Sequence, residues 1–405
     1  MLIVQKYGGT SVADYEKIFC AADKIAQDYL KNHNMVIVLS AQGNTTDILL
    51  EKAGEISNNP SKRELDALLA TGEQQSAALM AMALVEKGLP AISLNARQAG
   101  IFSTSEHGCA KIISINPDRI KAEIENRKIV VITGFQGVDE YGEITTLGRG
   151  ASDTTAIALA AALSADLCEI YTDVEGIFTA DPRITKDAFK YKEIAYDEIL
   201  ELSSMGASVL HSRSVELAKK FGVEFSVKSS TVAAEPTIIK DITSIEKKSV
   251  SGITADRKIC KISINEIKAE NVPEIIHLLS KNKISLDIIT HSAGDKFDSL
   301  SFAISGADSY KAMELLSIYN IQVNENLAKL SVIGPGIAYE THIAAIFYET
   351  LLEEEVKIHL LSLSAIKISA LINREEVTNI ILALHKKFME AGILSPQISW
   401  KEDNA

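Results

Sequence analysis

Short β-branched apolar runs alternate with longer stretches in helical register through the first part of the chain. Residues 1–5 read as a first strand. Met35–Leu39, Ala91–Leu94, Ile129–Ile132, Leu167–Tyr171 and Val223–Val227 repeat the pattern. Helical spacing lies between them. It covers Val12–Asn32, Ser61–Glu86 with an interruption at Ala70–Glu73, a segment opened by Pro117, the Ala-rich run ending at Leu163, and Met205–Phe221. Strands apolar at nearly every position are covered on both faces. The alternation therefore predicts an α/β unit with a mostly parallel sheet between helices. Ligands of such sheets gather beyond the carboxyl ends of the strands. Lys6, Ser40, the Gly148–Asp153 loop, Thr172-Asp173 and Lys228 all fall at such ends, and Ala180–Arg183 reads as a loop.

After about Pro236 the glycines thin out and two similar segments follow. Lys261–Ile264 matches Lys329–Val332, Lys283–Thr290 matches Glu355–Ser362, and Leu300–Ile304 matches Ile368–Ile372, at offsets of 68, 72 and 68 residues. Each unit reads β-α-β-β-α, with Asn271–Leu279 and His342–Leu352 as first helices, a tandem repeat of small α+β modules. The boundaries expected are 1–240 for the α/β unit, 245–323 for the first repeat and 324–405 for the second. As modules alone, the repeats are consistent with a purely scaffolding or dimerising role, because fold by itself does not give function.

The stretch Gly134–Leu163 concentrates the candidate chemistry. A short hairpin around Asp139–Gly142 leads into Gly148-Arg149-Gly150-Ala151-Ser152-Asp153 and then a strong helix former, with Ser152 or Asp153 as the expected N-cap. A glycine-flanked loop at a helix N-terminus collects unpaired N–H groups and the positive end of the dipole. Arg149 adds a planar fork suited to a carboxylate or phosphate. Lys6-Tyr7-Gly8-Gly9-Thr10-Ser11 supplies an ammonium, closely approachable backbone and two hydroxyls, without matching either a Walker A loop or a dinucleotide fingerprint.

Composition narrows the class further. The 405 residues suffice for two or three domains, and no apolar run approaches the roughly 20 residues of a membrane span. The first residues read as a strand and not as a signal peptide, so a cytoplasmic protein is expected. Acidic residues outnumber basic ones, 54 to 41, which argues against nucleic acid as a partner. Cys20, Cys109, Cys168 and Cys260 form no CxxC pair and read as free thiols. The histidines form no HExxH or other catalytic motif. Most, His107 among them, fall in expected helices or strands, and His211 and His291 lie at element ends. A kinase acting on a carboxylate needs no such base, because its acceptor is already ionised at neutral pH.

Taken together, Lys6–Val12 (KYGGTSV), Leu39–Asp47 (LSAQGNTTD), Thr71-Gly72-Glu73, Gln98-Ala99-Gly100, Gly134–Thr155, Tyr171–Arg183 (YTDVEGIFTADPR) and Val209–Ala218 (VLHSRSVELA) closely resemble the aspartate kinases, across the whole chain. The resemblance implies a three-layer αβα amino-acid kinase fold, carbamate kinase-like, followed by two ferredoxin-like ACT domains. In that family the first ACT unit is inserted in the second, so the strand near Val250–Thr254 would belong to the C-terminal unit. It implies transfer of phosphate from ATP with Mg²⁺ to the L-aspartate side chain, opening the route to lysine, threonine, methionine and diaminopimelate. The metal would ride on the ATP phosphates with no protein side chain as ligand.

By the same resemblance, Lys6, Tyr7, Gly8, Gly9 and Ser40 would hold ATP phosphates, and Lys6 with Asp153 would form the reacting centre. Thr46, Glu73, Arg149 and Ser152 would bind aspartate, with Glu73 facing its ammonium group and Arg149 its α-carboxylate. Thr172, Asp173, Phe178, Asp181, Arg183 and Lys228 would line the nucleotide site. Lysine or threonine would be effectors at the ACT domains, which also imply a homo-oligomer. Two alternatives stay open: a sister kinase with another acceptor, such as glutamate, N-acetylglutamate, carbamate or UMP, and a non-catalytic amino-acid sensor.

Overall fold

A computed structural model describes residues 1–148, 150–204, 210–242, 250–294 and 296–394. They form two compact units. The first comprises Met1–Ile177, Lys190–Ser203 and the described residues of Ser208–Thr243. The second comprises Phe178–Phe189, Ser204 and the described residues of Ser244–Ala405.

The first unit runs β1 (Leu2–Tyr7), α1 (Tyr15–Leu30), β2 (Asn34–Leu39), α2 (Thr45–Ile56), α3 (Lys62–Glu86), β3 (Ala91–Leu94), β4 (Ile101–Ser103), β5 (Ile112–Ile115), α4 (Asp118–Glu125), β6 (Ile129–Thr133), β7 (Gln136–Val138), β8 (Ile144–Thr146), α5 (Ala151–Leu163), β9 (Leu167–Thr172), β10 (Glu193–Ala195), α6 (Tyr196–Ser204), α7 (Ser212–Phe221), β11 (Phe225–Ser229) and β12 (Thr237–Lys240). Its main sheet has the order β10-β12-β11-β9-β1-β2-β6-β3, and the pairings from β11 through β3 are all parallel. Strands β1, β2 and β6 are buried almost throughout, as their unbroken apolar runs require. Alternation divides their side chains. Ile3, Tyr7, Met35, Ile37, Ile129 and Val131 pack with Ile18, Ile25, Ala77, Met80 and Leu84 of α1 and α3. On the other face lies α5, which is apolar all round and buried along most of its length. A second sheet, β5-β4-β7-β8, carries the expected hairpin.

Three sequence expectations need correction. Helix α3 runs unbroken through Ala70–Glu73. Gly72 serves close packing there, since a Cβ on it would stand 2.8 Å from the Cβ of Ala41. The helix expected over Met205–Phe221 is α7 from Ser212, and residues 205–209 lie outside the described residues. The cap of α5 is Gly150 at φ +73°, not Ser152 or Asp153, which occupy the first turn. The left-handed cap suits glycine and frees both polar side chains to point elsewhere.

The second unit contains β13 (Gly252–Ile267), α8 (Val272–Lys281), β14 (Asp287–Ser292), β15 (Asp298–Ser305), α9 (Ser309–Leu315), β16 (Ile321–Ile333), α10 (Thr341–Glu353), β17 (Leu360–Ser364), β18 (Lys367–Asn373) and α11 (Val377–Glu390). One sheet, β14-β15-β13-β16-β18-β17, serves both repeats. Strands β13 and β16 are long enough to be shared. Gly252–Asp256 pairs with Ile333–Lys329, while Lys261–Ile264 pairs with Asn324–Ile321 on one side and Ala303–Leu300 on the other. Val250 and Ile253 are buried with Phe347, Ile368, Leu384 and Phe388 of the second repeat, whereas Ile262 and Ile264 pack with Ile275, Leu279 and Phe302 of the first. Each module thus lends a strand to the other, and residues 323 and 324 fall inside β16. The segment Phe178–Phe189 is stitched in as well. Ile253 N donates to Thr179 O at 2.8 Å, Thr179 Oγ1 lies 3.2 Å from His385 Nε2, and Ala180 is buried in the second repeat's core.

Phe347 of α10 is fully buried, while Tyr348 beside it is 44% exposed. Phe347→Ala should destabilise this unit by ~3–5 kcal/mol, and Tyr348→Ala by less than ~1 kcal/mol. Urea midpoints of the two variants would show the contrast.

Candidate active site

The site is assembled from strand ends. On β1, alternation sends Ile3 and Tyr7 toward α1 and α3, and Val4 and Lys6 to the α5 side. There Lys6 Nζ meets Asp153 Oδ1 of the first turn of α5 at 2.6 Å, both side chains being about nine-tenths buried. Two glycines then let backbones close in. A Cβ on Gly8 would stand 3.5 Å from Lys6 Nζ. One on Gly9 would stand 2.5 Å from the carbonyl oxygen of Ala41, an impossible contact. Gly43 N donates to Gly9 O at 3.0 Å, and Ser40 N to Tyr7 O at 3.2 Å, so the loops after β1 and β2 form one surface beside the ammonium.

Glu73 enters this surface from α3. Its Oε1 accepts from Ala41 N at 3.0 Å, while Oε2 is buried with no partner. Burial pushes its carboxyl up to about 7, against the smaller opposing pull of the Ala41 bond. A buried carboxylate oxygen aimed at nothing is a ready acceptor for an ammonium group. Ser152 is also buried. A Cβ on Gly134 would lie 2.5 Å from its Oγ and 2.9 Å from Leu39 O, so the glycine after β6 is what admits the start of α5. Thr46 sits half-buried in the first turn of α2.

The remaining candidates are placed less uniformly. The Tyr7 ring is wholly buried, stacked on Tyr171 at 4.6 Å, and its hydroxyl donates to Gln5, so only its backbone is available to a ligand. Thr172 and Asp173 close β9 and bond to each other. Lys228 lies beside them on β11, its Nζ 2.5 Å from Glu169 and 5.9 Å from the Tyr171 ring centre. Phe178, Asp181 and Arg183 belong to the second unit, where Arg183 binds the Asp181 carboxylate and holds it below its ordinary range. Arg149 lies outside the described residues.

Sequence reasoning passed over several polar groups. Thr133, the last residue of β6, keeps a buried hydroxyl without a partner, as does Ser11 in the loop after β1. Gln136 donates to Ala70 O at 2.7 Å. Asp66, buried on α3, gathers donors from the loop that carries His107 and from Thr146. His107 itself stands in a loop and not in a helix or strand. A signal for Asp66 existed: it lies seven residues before Glu73, two helical turns along the same stripe. Among the described residues no group of three or more His, Cys, Asp and Glu could hold a metal ion, and no helix is long and apolar enough to cross a membrane.

Comparison with known proteins joins these observations. Residues 1–229 match the amino acid kinase family, and residues 322–386 an ACT domain. An aspartokinase of Geobacillus stearothermophilus is 43% identical over 96% of this chain and 97% of its own. One of a Bacillus strain is 42% identical over 96% and 98%. Among solved structures, Escherichia coli aspartokinase III in complex with aspartate and ADP superposes with a TM-score of 0.82 at 24% identity, covering 96% of this chain and all of that one. The same enzyme with lysine and aspartate gives 0.74, at 24% identity over 95% and 99%. Those two likenesses bear on the fold, whereas the identity of the curated relatives, end to end, fixes the family. With a buried lysine–aspartate pair at the rim of a parallel sheet in one unit and a shared-strand tandem repeat in the other, the chain belongs to the aspartokinases of the amino acid kinase family.

Proposed function

We propose that this aspartokinase makes 4-phospho-L-aspartate and ADP from ATP and L-aspartate at the rim formed by Lys6, Asp153 and Glu73. The observation that carries this most is a run of three features: a buried ammonium with Gly8 beside it, the close approach of Gly9 to Ala41, and the buried carboxylate of Glu73, bonded to Ala41 N and left with one unused oxygen. Phosphoryl transfer asks mainly for positioning and charge neutralisation. A side-chain carboxylate oxygen of aspartate attacks the γ-phosphorus while the bond to the β–γ bridging oxygen breaks and ADP departs. The acceptor, with an ordinary pKa of about 4, is ionised and needs no base.

Lys6 stabilises charge on the transferring group, and Asp153 fixes the direction of that ammonium. The backbone at Tyr7, Gly8 and Gly9, with Ser40, faces the phosphates. Glu73 takes the substrate ammonium, Arg149 its α-carboxylate, and Thr46 and Ser152 flank it. Thr172, Asp173 and Lys228 stand on the nucleotide side, and Phe178, Asp181 and Arg183 are assigned there by family resemblance. Magnesium on the ATP phosphates would supply further neutralisation. The chain works in the cytoplasm at the head of lysine, threonine, methionine and diaminopimelate synthesis. Its repeats take lysine or threonine as effectors, as the lysine-bound E. coli enzyme suggests. The exposed Ile289, Leu361 and Leu363 on the two edge strands of the repeat sheet favour a homo-oligomer. Initial rates with added lysine and threonine, and mass in solution, test both.

Lys6→Ala should lower kcat by about 10²–10³-fold. ADP release measured against aspartate, glutamate, N-acetylglutamate, carbamate and UMP should respond to aspartate, and turnover of another acceptor with none of aspartate would overturn the assignment.

Glu73 yields a pH prediction with a definite sign. Its folded-state pKa is raised from 4.5 to about 7. The folded state therefore binds its proton more tightly than the unfolded chain, and stability is lost as pH rises from 4.5 to 7. The Tm advantage of Glu73→Gln over the parent should grow between pH 5 and pH 8. Binding of an ammonium needs the ionised carboxylate, so the parent's KM for aspartate should climb as pH falls below about 7. In Glu73→Gln that KM should be roughly 30-fold higher at pH 8, matching loss of a charge-assisted bond of ~2 kcal/mol.

A further inference from the structure

Asp66 lies near the N-terminal end of α3 and is 1% exposed. Four donors converge on it. Oδ2 accepts from His107 Nδ1 at 2.9 Å, Gly108 N at 3.0 Å and Thr146 N at 2.9 Å, and Oδ1 accepts from Thr146 Oγ1 at 2.6 Å. Thr146 is the last residue of β8, immediately before the loop that runs through Leu147, Gly148 and Gly150 into α5. The next residues are tied as firmly. Leu147 N donates to Phe135 O at 2.8 Å, and Arg213 joins the two strands of backbone by donating to Leu147 O at 2.8 Å and Ala110 O at 3.0 Å. Ala110 N completes the ring by donating to Thr146 O at 2.9 Å.

The helix gives this anchorage its meaning. Asp66 and Glu73 are seven residues apart, so they share one face at a separation of roughly 10 Å along the axis. One stripe of α3 thus bears both the carboxylate with the unused oxygen and the carboxylate that pins the departure of the glycine loop. Simple packing would be served by an apolar side chain; a charged one buried beneath four donors serves to fix a backbone position.

We propose that Asp66 is a positioning residue for aspartate recognition. Through Thr146 and the His107–Ala110 loop it sets where the Gly148–Gly150 loop begins, and so fixes the distance between the ammonium-binding and carboxylate-binding halves of the amino-acid site. The inference rests on Glu73 and Arg149 having the roles proposed above. It assigns Asp66 no contact with substrate and none with the nucleotide.

The test compares Asp66→Asn, Thr146→Val, Arg149→Ala and the Asp66→Asn/Arg149→Ala double variant in the full-length chain. KM for aspartate, KM for ATP, kcat and Tm are measured for each. Asp66→Asn should raise KM for aspartate by about ten-fold or more, leaving KM for ATP and kcat within about three-fold. Thr146→Val, which removes one donor and keeps the shape, should move KM for aspartate in the same direction by less, and it decides the matter if Asp66→Asn fails to fold. Once Arg149 is gone, Asp66→Asn should add little to KM for aspartate, because both changes act on one element. A fall in Tm with both KM values unchanged, or equal shifts in the two KM values, overturns the proposal. If Arg149→Ala raises KM for aspartate and neither Asp66→Asn nor Thr146→Val does, positioning by Asp66 fails while the assignment of Arg149 stands. If Arg149→Ala has no effect on KM for aspartate, the assignment of Arg149 fails and the positioning proposal that rests on it is overturned as well.

Discussion

A buried lysine near the carboxyl end of a central strand has to be neutralised where it stands. The Lys6 side chain is about nine-tenths buried, and an unpaired ammonium there would cost several kcal/mol. Asp153 meets it because α5 starts at that level, and α5 starts there because the glycines at 134 and 150 allow the chain to enter so closely. The pair leaves both charges held by each other until a more negative partner comes to share the ammonium. The tight glycine contacts, the entry of α5 and the loop beyond β2 all answer to that one electrostatic demand.

Helix α3 adds a second constraint. Its buried stripe changes character along its length, from Ala77, Met80 and Leu84 against the sheet to Glu73 and Asp66 toward the other end. Helices rarely bury acids without partners. Here one acid is satisfied by four donors and the other is left half-satisfied, with its proton affinity raised. That asymmetry separates holding a fold from holding a ligand.

Much of the α/β unit was legible because strands buried on both faces leave unbroken apolar runs, and β1, β2, β6 and β9 did so. Lys6, Ser40 and the Gly148–Asp153 loop were legible as polar signals at their ends. The short elements α2, β4, β5, β10 and β12 were not, since three or four residues carry no periodicity and α2 exposes most of its length. The break expected in α3 failed because glycine signals close approach as readily as a turn. Asp66 drew no reading from the sequence, because only the folded chain brings four donors around it. The repeats were legible from Lys261–Ile264 and Lys329–Val332. The sharing of strands between them was foreshadowed only by family resemblance, because strand exchange leaves no mark on local pattern.

The excursion Phe178–Phe189 has an architectural consequence. The chain leaves the first unit after Ile177, contributes Thr179 and Ala180 to the second, and returns at Lys190. No single cut separates the two units. A polypeptide ended near residue 243 would keep this excursion and strip away Ile253 and His385, leaving Ala180 as a stranded apolar tether. A polypeptide begun near residue 250 would have a vacancy where Ala180 fills its interior. The interior of the second unit is thus completed by a segment that lies some seventy residues before the rest of it in the chain.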